Sequence, residues 1–189
     1  MNSIQKILYI KNPLNYGVSA GFNQGIKIAL IQKSEFFLIV NNDIIFRKDS
    51  IDNLLKFARN TNYGYVTSID SRRCFKQDYL EFKLRNEEWE GLCNSCFILK
   101  KSTVDKIGFY DENYFPAYME DIDYIERMGQ AGIERRSTFM SIIFHDEGST
   151  GRKNNWKLTS ECNSSAKLYE FAYIKGKEYF KKKWGFCPN

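Results

Sequence analysis

Apolar residues follow two rhythms along this chain. Phe36-Phe37-Leu38-Ile39-Val40 is an unbroken apolar run bounded by polar residues, the pattern expected of a strand covered on both faces of an α/β sheet. Phe22, Ile26, Ala29 and Leu30 are spaced three and four apart instead, which predicts a helix over residues 18–30 with Ser19 as a cap near its start. Ile4 to Ile10 is a β-rich stretch ended by Asn12-Pro13, a strand followed by a turn. Asp49-Ser50 opens a second helix carrying Ile51, Leu54, Leu55 and Ala58, and Tyr63 to Ile69 predicts another strand.

The second half is less regular. Residues 70–90 are charged and aromatic with weak periodicity, as in an irregular excursion or short hairpin. Leu92 to Leu99 predicts a strand, Ser102 to Ile107 a short helix closed by Gly108, and Glu120 to Gln130 a helix ended by Gly132. Thr138 to Phe144 predicts a last strand and Ser164 to Trp184 a long helix rich in aromatics and lysine. Strands alternating with helices place the chain in the α/β class, and 189 residues suit one domain.

Bulk properties narrow the class further. The apolar runs are too short to span a bilayer, and no charged segment with an apolar stretch behind it opens the sequence, so a cytoplasmic chain with at most peripheral membrane contact is expected. Five cysteines are an odd, scattered number that does not form a disulfide framework. Cys93 and Cys96 form a C-x-x-C without a second pair or a nearby histidine, within residues that read as a strand. The net charge of +5 owes its excess to Lys175, Lys177, Lys181, Lys182 and Lys183, for which a solvated helix face is the simplest account and a nucleic-acid surface a remote one. No nucleic-acid partner is expected.

Three constellations could carry chemistry. Asn41-Asn42-Asp43 follows the apolar run, at the strand end where open α/β sheets bind ligands, and a carboxylate beside two amides suits a hard cation whose remaining ligands come from a diphosphate. Taken alone the triplet is also an ordinary polar turn, the simpler account of three residues. Glu120, Asp121 and Asp123 crowd a helix start, where they complement its dipole, and Asp123 is placed to pair with Arg127. At most two of the three can share one site, and one of them could serve as a general base. His145, the only histidine, follows Met140 to Phe144 and is available as a metal ligand or phosphate contact as well as for a structural role.

The order of these features resembles the family 2 glycosyltransferases of the GT-A fold, especially their rhamnosyltransferase-like branch. The resemblance is carried by residues 15–26 (Asn15-Tyr16-Gly17 through Gly25-Ile26), by Leu38-Ile39-Val40-Asn41-Asn42-Asp43, by Gly108-Phe109-Tyr110-Asp111-Glu112, by residues 115–123, and by His145 with Gly148-Ser149. Tyr179 to Gly185 is similar to the way such chains end. The resemblance implies an α/β fold of the GT-A-like, Rossmann-type kind, a mixed sheet flanked by helices. It also implies an inverting transfer of a sugar from a UDP- or dTDP-sugar to a carbohydrate acceptor, dependent on Mn²⁺ or Mg²⁺. By the same resemblance Asp43 and His145 would bind the metal. Asn41, Asn42, Asp43, Gly21 and Asn23 would line the donor diphosphate, with Arg152 and Lys153 reaching it from a loop. Asp121 would be the general base, and Glu120 would orient the acceptor.

Met1 precedes what corresponds to the third strand of that family, so an N-terminally reduced fold without the first two βα units is expected. Residues 1–70 would be the remnant of the donor- and metal-binding half, 91–150 the acceptor and catalytic half, and 151–189 a helical tail. A reduced sheet would leave a strand edge for a second copy or another chain to cover. The alternative is a non-catalytic binding or assembly module with the same fold, or a fragment of a longer glycosyltransferase.

Overall fold

The structure is a computed structural model that describes residues 7–71, 88–89, 94–145 and 165–188. In chain order its elements are α1 (Val18–Ile31), β1 (Phe36–Val40), β2 (Ile44–Phe46), α2 (Ser50–Asn60), β3 (Tyr65–Asp70), β4 (Glu88–Trp89), β5 (Cys96–Lys100), α3 (Lys101–Ile107), α4 (Glu120–Gln130), β6 (Arg135–His145) and α5 (Ser165–Trp184). The strands form one mixed sheet in the order β1-β5-β3-β6-β2, with β4 pairing β6 as well. Among the described strands only the β3–β6 pairing is parallel. A mixed sheet flanked by helices is therefore what the chain forms.

Successive residues of a strand face opposite sides, and β5 shows how this builds two cores. Phe97 and Leu99 join Ile26, Phe37, Tyr65, Val104, Tyr124 and Met128 on the side of α1, α3 and α4. Cys96 and Ile98 join Leu54, Phe57, Ala58, Val66 and Ile143 on the side of α2. Burying each of these large side chains contributes about 1.5–3 kcal/mol, so the central strands β5 and β3 anchor the domain.

Several sequence expectations are corrected. The apolar run that became β1 is not covered on both faces: among the described residues β1 lies at the edge of the sheet and pairs only with β5, and Leu38 and Val40 are 40% and 37% exposed. Apolar content alone cannot separate a central from an edge strand, because it does not say how many neighbours pair with it. Residues 7–11 form no strand and lie exposed, with Ile7 and Tyr9 facing outward. Ser19 does not cap α1. The N-cap position is Gly17, and Ser19 is buried inside the helix. Gly17 has φ +89°, and a Cβ there would lie 2.9 Å from the Pro116 carbonyl oxygen that accepts the Val18 amide, so a glycine is needed on both counts. The short strand β2 between the triplet and α2 is absent from the sequence reading, since three residues carry almost no periodicity.

Candidate functional site

Strand directions determine which chain ends meet. Because β1 and β5 are antiparallel, β5 and β3 antiparallel, β3 and β6 parallel, and β6 and β2 antiparallel, one edge collects the carboxyl ends of β1, β3 and β6 with the amino ends of β5 and β2. That edge carries Asn41-Asn42-Asp43 after β1, Asn94 and Ser95 before β5, Asp70 at the end of β3 and His145 at the end of β6. The triplet links the two outermost strands of the sheet path across these ends.

Backbone register then brings the side chains together. Ile44 pairs with His145, so Asp43, one residue earlier, lies beside the imidazole, and Oδ1 of Asp43 is 3.1 Å from Nε2 of His145. Val40 pairs with Cys96, and the ladder continues one step further as the Asn41 amide donates to the Ser95 carbonyl at 2.8 Å. Ser95 Oγ lies 2.8 Å from Nδ1 of His145, on the far side of the ring from Asp43. The imidazole is thus held from both nitrogens.

The carboxylates at the start of α4 divide between two tasks. Asp121 accepts from Nδ2 of Asn94 at 2.7 Å on Oδ2 and from the Ile122 amide at 2.8 Å on Oδ1. The Asn94 side chain is itself oriented by the Tyr65 hydroxyl, which donates to Oδ1 at 2.8 Å. Glu120 is 8% exposed, and no described residue bonds its Oε2. Burial, with the Asp121 charge adding to it, pushes the Glu120 carboxyl up to about 8.

Asp123 is 0% exposed and turned into a separate network. It accepts from Tyr114 OH (3.2 Å), Arg127 Nε (3.0 Å) and Trp184 Nε1 (2.9 Å), with Lys183 Nζ at 2.7 Å. The same Lys183 ammonium bonds Oδ2 of Asp111 at 2.7 Å, where the Tyr179 hydroxyl also donates at 3.0 Å. Burial pushes the Asp111 carboxyl up, but hydrogen bonds from Lys183 and Asn113 outweigh it and hold it at about 2. Lys183 is therefore no part of a solvated face. Helical spacing places it on α5 but does not reveal that Asp111 and Asp123 wait for it.

A strained turn introduces α4. Tyr118 and Met119 have φ of +77° and +72°, a conformation costing on the order of 1 kcal/mol or more per non-glycine residue. α5 packs directly on this turn, since a Cβ on Gly176 would lie 2.8 Å from the Tyr118 carbonyl oxygen.

The structure does not gather every expected residue at the site. Asn23 is buried, and its amide is spent on the segment before α4: it donates to Tyr110 O (2.9 Å) and Glu112 Oε1 (2.8 Å) and accepts from the Tyr110 amide (2.9 Å). This corrects the expectation that it faces a donor. Gly21 lies exposed in the first turn of α1, with no atom within 4 Å of where a Cβ would sit. Arg152, Lys153, Gly148, Ser149 and Cys93 lie outside the described residues. Cys96 is buried and bonded by Ser68 Oγ at 3.3 Å, a core role. Asn94 and Ser95 were missed, because the sequence reading placed them inside a strand over Leu92 to Leu99, whereas β5 begins only at Cys96.

Among the described residues no three His, Cys, Asp or Glu side chains form a metal-binding group. Asp43 and His145 supply one hard oxygen and one imidazole nitrogen 3.1 Å apart, a pair whose chemistry fits a cation completed by oxygens of a diphosphate and water.

Comparison with known proteins identifies the family of the chain. Residues 1–109 match the family described as Glycosyl transferase family 2. The chain belongs to that family. The matched segment includes Asn41 to Asp43 and ends before Asp121 and His145. The chain is 23% identical to a galactofuranosyl glycosyltransferase of Leishmania donovani over 95% of its length and 54% of the relative's. It is 35% identical over 79 residues, 41% of this chain and 25% of the relative, to an N-acetylglucosaminyl-diphospho-decaprenol L-rhamnosyltransferase of Mycobacterium tuberculosis. It is 26% identical to the low-salt glycan biosynthesis hexosyltransferase Agl10 of Haloferax volcanii over 67% of this chain and 48% of the relative. This family 2 chain spans between a quarter and just over half of the lengths of these relatives. No helix among its described residues is long and apolar enough to cross a membrane.

Proposed function

We propose that the chain carries the catalytic edge of an inverting, metal-dependent glycosyltransferase that moves a sugar from a UDP- or dTDP-sugar to a carbohydrate hydroxyl in the cytoplasm. The observation that carries this reading is the convergence of Asp43 with His145 on one side and Asp121 on the other, at one end of a single sheet. Asp43 and His145 would hold Mn²⁺ or Mg²⁺, and the ion's chemistry is to draw charge from the diphosphate as it leaves. Asn41 and Asn42, at the same strand end, are placed to meet the ribose or diphosphate with their amides. Asp121, oriented by the Asn94 amide on one oxygen and the Ile122 amide on the other, would be the general base toward an acceptor hydroxyl. Buried Glu120, protonated near neutrality, would hand a hydrogen bond to the acceptor through Oε2.

Titration calorimetry with UDP and with dTDP, in the presence and absence of Mn²⁺, tests the reading. Metal-dependent heat with one nucleotide is expected, and Asp43→Ala should abolish it. No such heat from the folded chain would sink the enzymatic reading for this chain. It would favour a binding module instead, the reading that the partial coverage of the relatives keeps in play.

A further inference from the structure

Two consecutive residues touch both halves of the site. Ser95 uses its carbonyl oxygen to hold the Asn41 amide at 2.8 Å and its hydroxyl to hold Nδ1 of His145 at 2.8 Å. Asn94, its neighbour, donates to Asp121 at 2.7 Å and accepts from the Tyr65 hydroxyl at 2.8 Å. Tyr65 is 2% exposed and stacked on Phe97 with ring centroids 4.5 Å apart, so the hydroxyl that sets the Asn94 amide belongs to a ring fixed in the core. Cys96, next in the chain, begins the buried strand β5. The Asn94-Ser95 step is thereby anchored at both ends.

We infer that Asn94 and Ser95 form a positioning brace, in which Ser95 orients His145 toward the metal, Asn94 orients Asp121 toward the acceptor, and the peptide between them couples the two. The inference rests on the function proposed above. With a cation bound in place of the Nε2 proton that faces Asp43, His145 would donate Nδ1–H to the Ser95 hydroxyl and present the lone pair of Nε2 to the ion. Movement of His145 on binding a cation must be taken up by Ser95, which is packed on one side by β5 and continuous with Asn94 on the other. Asn94 has no slack to absorb it, because its oxygen is pinned by Tyr65 and its nitrogen by Asp121.

Two measurements on the whole chain test the brace without knowledge of the sugar. In calorimetry with Mn²⁺ and UDP or dTDP, Ser95→Ala should weaken metal-dependent binding about 10-fold, while Ser95→Thr, which keeps the hydroxyl, should restore it to within about 2-fold. In nitrogen-resolved NMR, adding diamagnetic Mg²⁺ with the same nucleotide should shift the Asn94 side-chain amide signal of the wild type. That shift should vanish in Ser95→Ala even at saturating metal. Unchanged affinity in Ser95→Ala, or an Asn94 signal that stays still in the wild type, overturns the brace and leaves the proposed function standing. A wild-type chain with no metal-dependent nucleotide binding overturns both.

Discussion

The two halves of the candidate site, proposed above as a metal side and an acceptor side, are held by different kinds of force. The metal side is a product of strand pairing: Asp43 reaches His145 because Ile44 and His145 are partners in an antiparallel ladder. The acceptor side is a product of side-chain chemistry brought from far along the chain. There a strained turn at Tyr118-Met119 presents Glu120 and Asp121, and α5 clamps it through Gly176, Lys183 and Trp184. A ladder distributes its energy over many similar bonds, whereas a clamp concentrates it in a few charged and close-packed contacts. The acceptor side is therefore where single substitutions bite.

The largest effect is expected from Asp123→Ala. It leaves Lys183 and Arg127 facing a space without their shared carboxylate, and loss of one partner of a buried ion pair costs about 3–5 kcal/mol. Urea denaturation checks this, and a loss under about 1 kcal/mol would mean that the clamp does not hold the acceptor side.

Glu120 gives the next largest effect. Its folded pKa of about 8 lies above its ordinary value of 4.5, so the folded chain binds more protons than the unfolded one between these limits. Stability should fall as pH rises through that window, by about 4 kcal/mol at its upper end. Glu120→Gln cannot ionise and should flatten the profile, measured as thermal midpoints from pH 4.5 to 8. An identical slope in both proteins would show that Glu120 is solvated.

Gly176→Ala sharpens the comparison more selectively. Its Cβ would stand 2.8 Å from the Tyr118 carbonyl oxygen, and overpacking of this kind costs about 1–3 kcal/mol. Sugar transfer should decline more than Mn²⁺-dependent nucleotide binding, because the strand ladder that supports the metal side is untouched. Equal loss of both would erase the distinction between the halves. The smallest effect belongs to Leu38→Lys on the edge strand β1, whose side chain is 40% exposed: a change within about 0.5 kcal/mol is expected by denaturation. A loss well above that would reveal that another surface covers this edge.

Much of this was legible before any coordinates. The helix over Glu120 to Gln130 was predicted to the residue, because Leu-poor but acidic first-turn residues and a terminal glycine mark both its ends. The Asp123–Arg127 pair followed from helical spacing alone. The division of labour among Glu120, Asp121 and Asp123 did not, because spacing says which residues share a face and not what lies opposite each face. Likewise Asn23 sits within a family-like stretch that suggests a ligand contact, yet its partners Tyr110 and Glu112 are 87 and 89 residues away.

By itself the sequence determined the α/β class, most helix boundaries and the family, and it singled out Asp43, Glu120, Asp121 and His145 as candidates, since each of these rests on local spacing or on ordered motifs. Only the tertiary structure decided that β1 is an edge strand, that Asn94 and Ser95 touch both halves of the site, and that Lys183 is an internal counter-ion. Those facts depend on which strand ends and helix faces meet, and contacts between residues 50 or more positions apart leave no periodic trace in a chain.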